Sequence, residues 1–139
     1  MGMPWLFMRY LKGRKNKKSL VFLKIMVTIE TVRQTALSFP QVTEQPHFEK
    51  SSFRINKKIF ATIDVKNRQA CIKLSAIDQD IFCAFDKLII FPVPNKWGSQ
   101  GWTFINLKKI RKVMLVDALT MAYCKVAPKK LSAALKSKV

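Results

Sequence analysis

The sequence predicts an α+β fold: a five-stranded antiparallel sheet with helices packed on one face. Three observations lead there. Between Ser51 and Leu74 three short runs, SSFRI, IFATID and ACIKL, alternate apolar and polar residues and are separated by polar turns. Stretches with helical spacing of apolar residues bracket the strands on both sides. One side of each strand run is apolar and the other basic or polar, as in an antiparallel sheet with one wet face.

The elements follow in chain order. Thr28 suits a helix N-cap, with Glu30 in the favourable first turn, and Ile29, Val32, Ala36 and Leu37 recur on one helical face. Phe39-Pro40 ends that helix, because the residue before proline is pushed out of the α region. QVTEQPH reads as a polar connection. Phe53 and Ile55 alternate in the first strand, Asn56-Lys57-Lys58 supply a turn, and Ile59, Ala61 and Ile63 alternate in the second. VKNRQ turns into a third strand, where Ala70, Ile72 and Leu74 share a face. Ser75 or Asp78 caps a short helix whose Ile77, Ile81, Ala84 and Phe85 form an apolar stripe. LIIFP is a brief apolar strand stopped by Pro92 and Pro94, and WTFINL is another. A long helix is expected from near Lys108, burying Ile110, Val113, Met114, Leu119, Met121 and Ala122. Pro128 opens a last short helix.

A chain of 139 residues fits one domain and is long enough to bury a core without staples. Its charge is lopsided, 26 Lys+Arg against 8 Asp+Glu, a net +18. Such a balance favours polyanionic partners: nucleic acid, an anionic surface or an acidic protein. The first 25 residues carry Arg9, Lys12, Arg14, Lys15, Lys17, Lys18 and Lys24 and no acid. The rest therefore holds 19 basic residues (26 less these 7) against the 8 acids, a net +11. Residues 1–25 read as a basic extension ahead of a domain spanning 26–139, with Met26 as the expected true start. Lys24 interrupts their apolar run, which is too short and broken to span a bilayer. The cysteines, Cys71, Cys83 and Cys124, are odd in number and contain no CxxC pair, which points to small buried residues in a reducing, cytoplasmic setting rather than to zinc or disulfides.

No phosphate-cradling, metalloprotease or nucleophile-elbow motif occurs. Asp78 and Asp80 fit capping better than acid–base work. His47, the single histidine, lies two residues from Glu49 in PHFEK, and nothing near it supplies a nucleophile or a metal set. The expectation is a non-enzymatic protein with no cofactor, no metal and no catalytic residues. Binding signals are better developed. NKWGSQGWTF holds two of the three tryptophans and two of the four glycines. Lys96 beside Trp97 offers a cation and a stacking ring. Arg54, Lys57, Lys58 and the cluster Lys108, Lys109, Arg111 and Lys112 add positive charge for phosphates. Alternation places Trp102 with Phe104, both expected to point into the core, while Trp97 is expected in an exposed loop.

At these residues the chain resembles the MmcQ/YjbR family. The segments LSFPQVTEQPHFEKSSFRINKKIFATID, PVPNKWGSQGWTFINL and DALTMAYCKVAPKKL carry the resemblance, from about Met26 to Ser137. It implies a small bacterial protein with a CyaY-like, "double wing" fold and the family's usual DNA-binding label. Family members often have a histidine beside the tryptophan of the segment matched by Asn95-Lys96-Trp97-Gly98, and this chain lacks it. Frataxin-type relatives of the fold bind iron on an acidic ridge. A domain at +11 lacks the carboxylate density that hard cations need. The expected function is nucleic-acid binding, with DNA as the expected partner, by a monomer through phosphate contacts. An interaction domain for an acidic protein is the alternative.

Overall fold

Thr28 opens the first helix, α1 (Ile29–Ser38), in the expected way. Its hydroxyl accepts the Thr31 amide at 3.1 Å, and the Thr31 hydroxyl accepts the Thr28 amide in return. Two amides that the helix cannot satisfy are thereby paired. In the computed structural model, which describes residues 27–137, this helix packs with a later one over a single sheet. The basic extension and Met26 lie outside the described residues.

The sheet has six strands, not five, in the order β1-β2-β3-β4-β6-β5, and every pairing is antiparallel. The additional strand is β1 (Thr43–His47), read from sequence as a connection. It is an edge strand with no fully buried residue, so it carries no apolar alternation to betray it. Pro46 is tolerable there because an edge strand can spare an amide. β2 (Lys50–Ile55) and β3 (Lys58–Asp64) form a hairpin closed by Asn56 and Lys57, both at positive φ (50° and 68°). That is the type I′ geometry whose twist matches paired strands. β4 (Gln69–Lys73) leads into α2 (Ala76–Phe85), where the Ser75 hydroxyl accepts the Asp78 amide at 3.1 Å. β5 (Ile90–Pro92), a short α3 (Lys96–Ser99), β6 (Trp102–Asn106), α4 (Lys112–Val126) and α5 (Lys129–Ser137) complete the chain.

Directly opposed residues of antiparallel strands share a face, so the register sorts the side chains. Ile63, Ala70, Ile105 and Ile90 form one buried row, and Phe53, Ala61, Ile72 and Thr103 another. α4 covers these rows with Leu115, Ala118, Leu119, Ala122 and Tyr123, and α1 adds Val32 and Ala36. Register slips by one residue between Phe53 and Arg54, whose partners are Ala61 and Ile59. Phe60 is the extra residue of this bulge, and it is fully buried beside the buried Ala61. Its ring meets Tyr123 edge-on at 5.7 Å and Phe39 at 6.3 Å, while Phe39 and Tyr123 lie 5.0 Å apart. The Tyr123 hydroxyl donates to the Pro40 carbonyl at 2.8 Å.

Two further expectations are corrected. Trp102 and Phe104 do not point into the core: Thr103 and Ile105 do, and the two aromatics are half-buried on the opposite face. The sequence shows the alternation but not its phase, and the buried Ile90–Ile105 pair sets that phase. The α2 stripe meets solvent. Gln79, Phe82 and Cys83 turn toward the sheet, leaving Ile77, Ile81, Ala84 and Phe85 exposed. Finally, α4 starts at Lys112, because Lys108 and Lys109 sit in a turn whose Lys108 amide donates to the Asn106 side chain at 3.0 Å. Ile110 is buried, but ahead of the helix.

The aromatic trio predicts two graded losses. Phe60→Ala should lower the free energy of unfolding by about 3–5 kcal/mol. Tyr123→Phe, which removes only the bond to Pro40, should cost about 1 kcal/mol. Urea unfolding of both variants against the parent measures each.

Candidate nucleic-acid interface

α1 and α4 cover only the inner face of the sheet. The outer face is built by the alternate residues of the same strands: Cys71 and Lys73 from β4, Trp102 and Phe104 from β6, Phe91 from β5 and Arg54 from β2. Lys73 lies opposite Trp102, its ammonium 5.4 Å from the ring centroid and hydrogen-bonded to the Gln100 carbonyl. Phe104 lies opposite both Cys71 and Phe91, and the two phenylalanine rings meet at 5.8 Å and 63°. The result is a row of aromatic side chains across two adjacent strands, with a cation set against one end.

Arg54 is held on the same face. Its Nε donates to the Ser52 hydroxyl at 2.9 Å and its terminal nitrogen to the Pro46 carbonyl at 3.4 Å. Ser52 is itself fully buried and donates to the Gln45 carbonyl at 2.8 Å. Lys50 and Asp64 also project outward from the far ends of β2 and β3. The Asp64 carboxyl is held below its ordinary value by hydrogen bonds from the Asn67 side chain and amide, with a smaller contribution from the charge of Lys50. Burial pushes the Cys71 thiol up to about 11, against a smaller opposing pull from Lys50. Cys71 is therefore a packed thiol opposite Phe104, held in the neutral form near neutral pH.

The loop NKWGSQGWTF answers its own composition. Asn95 caps α3 by accepting the Trp97 amide at 2.8 Å. Gln79 reaches across from α2 to the Gly98 carbonyl at 2.9 Å and the Thr103 hydroxyl at 3.0 Å. A side chain at Gly98 would collide with the Val93 carbonyl, and one at Gly101, where φ is 103°, with the Leu74 carbonyl. The glycines let the segment lie against the strand ends, and Trp97, in α3, is 51% exposed, as expected.

Strand direction divides the sequence-predicted residues between two ends of the sheet. Arg54, Lys57, Lys58, Lys96 and Trp97 lie at the end where β2 and β5 finish, together with Lys73 and Trp102. Lys108, Lys109, Arg111 and Lys112 lie at the other end, beside the β3–β4 turn that holds Lys66 and Arg68, where the Leu107 amide donates to the Arg68 carbonyl at 3.0 Å. Arg111 occupies the N-cap of α4 without a capping side-chain bond, and no acid lies in that helix's first turn. His47 and Glu49 do not extend side by side, since Phe48 and Glu49 form the β1–β2 turn, Phe48 at φ 59°. Sequence reasoning missed Lys73, Phe91, Phe104 and Lys50 as surface residues. The ACIKL alternation already puts Lys73 on the wet face, whereas the WTFINL alternation has the opposite phase to the one expected. Among the described residues no cluster of three or more His, Cys, Asp or Glu groups could hold a metal ion, and no helix is long and apolar enough to cross a membrane. Cys71 and Cys83 are free thiols.

A two-layer α+β domain with an open antiparallel sheet is the class these features define. The YjbR family model matches residues 37–125, and the chain belongs to that family. Among solved structures, it is similar to Deinococcus radiodurans protein DR2400, which carries the family domain DUF419, with 18% identity over 81% of this chain and 88% of that one at a TM-score of 0.64. That likeness concerns the fold. No curated protein matches the chain.

Two measurements probe this surface. Of the three thiols, Cys71 should react slowest with a thiol reagent near neutral pH. Because its folded value is raised above the unfolded one, its contribution to stability is complete below about pH 9 and declines as pH rises toward 11. In Cys71→Ala that part of the alkaline decline should disappear from the pH dependence of unfolding. Separately, Lys57→Gly should stabilise the hairpin by about 0.5–1 kcal/mol, since a glycine holds φ of 68° without strain. Thermal or urea unfolding reads that gain.

Proposed function

We propose that the protein binds nucleic acid, DNA being the first candidate, and that it takes unpaired bases on the outer face of its sheet. The observation that carries this reading is the aromatic row Trp102, Phe104 and Phe91, flanked by Lys73 on the face left uncovered by α1 and α4. An open sheet face with aromatics on neighbouring strands is a surface on which successive bases stack, each worth about 1–3 kcal/mol. Lys73 and Arg54, held by hydrogen bonds, and Lys50 stand where the sugar-phosphate chain would pass. The basic groups at both ends of the sheet lengthen that track, with Trp97 exposed at one of them.

The reading is one of binding without catalysis. It rests on the single histidine, the scattered acids and a Cys71 thiol kept protonated by burial. Arg111 and Lys112 at the uncapped start of α4 would also favour a phosphate, which relieves the unfavourable meeting of cations with the positive end of a helix.

Fluorescence anisotropy with a labelled single strand and the matching duplex, at roughly 50 and 200 mM salt, tests the reading. Binding should weaken log-linearly with salt. Trp102→Leu and Phe104→Leu should each reduce single-strand affinity by about 1–3 kcal/mol, roughly fivefold or more, and should affect the duplex less. Glutamine at Lys108, Lys109, Arg111 and Lys112, or at Lys57, Lys58 and Lys96, should lower the salt slope by about 0.7 for each phosphate of a single strand that is no longer neutralised. Whichever set moves the slope identifies the end of the sheet that holds the strand. Absence of salt-dependent binding to either form would sink the proposal and leave an acidic protein as the partner to pursue.

A further inference from the structure

Phe48 combines two features that the fold does not need. It is 92% exposed, more than any other large apolar side chain among the described residues. It also holds φ of 59° in the two-residue turn between β1 and β2, while Glu49 beside it takes no positive φ. That is the first position of a type II′ turn, where glycine is the residue that fits without strain. A single exposed apolar residue needs no account, but an exposed ring on a strained backbone gains the fold nothing on either count. Such an outlier marks a residue kept for a contact outside the chain. The His47 ring meets that of Phe48 at 4.8 Å and 69°, which narrows the positions the exposed ring can take.

The turn lies at the end of the sheet where β2 begins and β3 finishes. Two other connections at that end are cationic: β3–β4 with Lys66 and Arg68, and β6–α4 with Lys108, Lys109 and Arg111. Strand spacings of roughly 4.8 Å set the first about 10 Å and the second about 17 Å from the β1–β2 turn. Acids are few there. Glu49 is in the turn itself. Asp64, at the end of β3, accepts from the Asn67 side chain at 2.8 Å and lies within the field of Lys50, and Asp86 is followed by Lys87 in the α2–β5 connection. The cations thus run from Phe48 in one direction only, because β1 is the edge of the sheet. Paired strands, at 3.4 Å per step, would follow that line for about five base pairs. A ring at its head meets the face of the last pair, the one π-face that a stacked duplex leaves open. We propose that this end of the sheet binds the end of a nucleic-acid duplex, with Phe48 stacked on the terminal base pair and Lys66, Arg68, Lys108, Lys109 and Arg111 along the phosphates. The inference rests on the reading of the protein as a nucleic-acid binder and adds a substrate class to it: a strand that continues past a duplex end is unpaired, and the outer face of the sheet adjoins that end.

Fluorescence anisotropy with a short DNA duplex labelled at an internal base tests this, against the same duplex with both ends closed by ethylene glycol linkers. The parent should bind the open form on the order of tenfold more tightly than the closed one. Phe48→Gly should lose that preference and keep the affinity for the closed form. It should fold at least as stably as the parent, because glycine holds φ of 59° without strain, and thermal unfolding checks this. Phe48→Trp, which restores a stacking ring, should keep the preference. Equal affinity of the parent for open and closed duplex would overturn the placement of a duplex end here and leave the single-strand reading standing. A preference that survives unchanged in Phe48→Gly would do the same. No salt-dependent binding to duplex or single strand would overturn both readings.

Discussion

Phe60 is the residue on which the arrangement turns. A regular β3 would alternate its side chains in strict succession, and with Ala61 and Ile63 facing inward Phe60 would face outward. The one-residue slip against β2 re-aims it, so that Phe60 and Ala61 are both buried. A bulge gives up regular ladder pairing and bends its strand. Here that cost is offset by a fully buried ring in contact with Phe39 and Tyr123. Burying a phenylalanine is worth about 1.5–3 kcal/mol from area alone, with about 0.5–1.5 more for each well-oriented aromatic pair. The trio joins β3, the end of α1 and the last turn of α4. The Tyr123 bond to Pro40 then fixes the chain that leaves α1 for β1. Arg33 fastens the other end of that passage by donating to both carboxylate oxygens of Glu44 at 3.0 Å. An edge strand with no buried residue of its own is thereby tied to the core.

Once the bulge sets the inner face, the outer one follows without further choice. The period of a strand is two, so each residue committed inward commits its neighbours outward. Ile105 buried against Ile90 and Ala70 puts Phe104 out; Ile72 buried puts Cys71 and Lys73 out. The aromatic row on the exposed side is thus a consequence of aliphatic packing on the other. Apart from Phe53 and Phe60 the inward residues of the sheet are aliphatic or small beneath α4, and Trp102, Phe104 and Phe91 lie on the side that α1 and α4 leave uncovered.

Much of this was legible in the sequence, and the failures share a cause. Capping by Thr28 and Ser75, the stop at Phe39-Pro40, the hairpin at Asn56 and the three strands from Ser51 to Leu74 depend on neighbours in sequence, and they read correctly. β1 escaped because polar residues and a proline at an open edge look like a loop. The phase of β6 escaped because WTFINL is apolar on both faces, so only pairing with β5 decides which side is buried. The stripe of α2 escaped because periodicity locates an apolar face but not what it meets. The basic residues Arg54, Lys57, Lys58, Lys96, Lys108, Lys109, Arg111 and Lys112 were visible one by one. Their division between two ends of the sheet was not, since it depends on strand direction. Lys73 looked like an ordinary polar residue of a wet face until the register set it over Trp102.

The layout of charge gives the separate surfaces a common logic. Cations occupy the outer sheet face and both ends of the sheet, while α2 concentrates acids in a chain that has few. A polyanion approaching such a molecule is drawn to the basic surfaces and turned away from α2 over roughly a Debye length, about 8 Å at physiological ionic strength. The apolar row on α2 is therefore electrostatically shielded from the ligand proposed for the sheet. Gln79 ties α2 to the sheet, donating from the inward side of the helix to the Gly98 carbonyl in the Trp97 loop and to the hydroxyl of Thr103, between the two outer-face aromatics of β6.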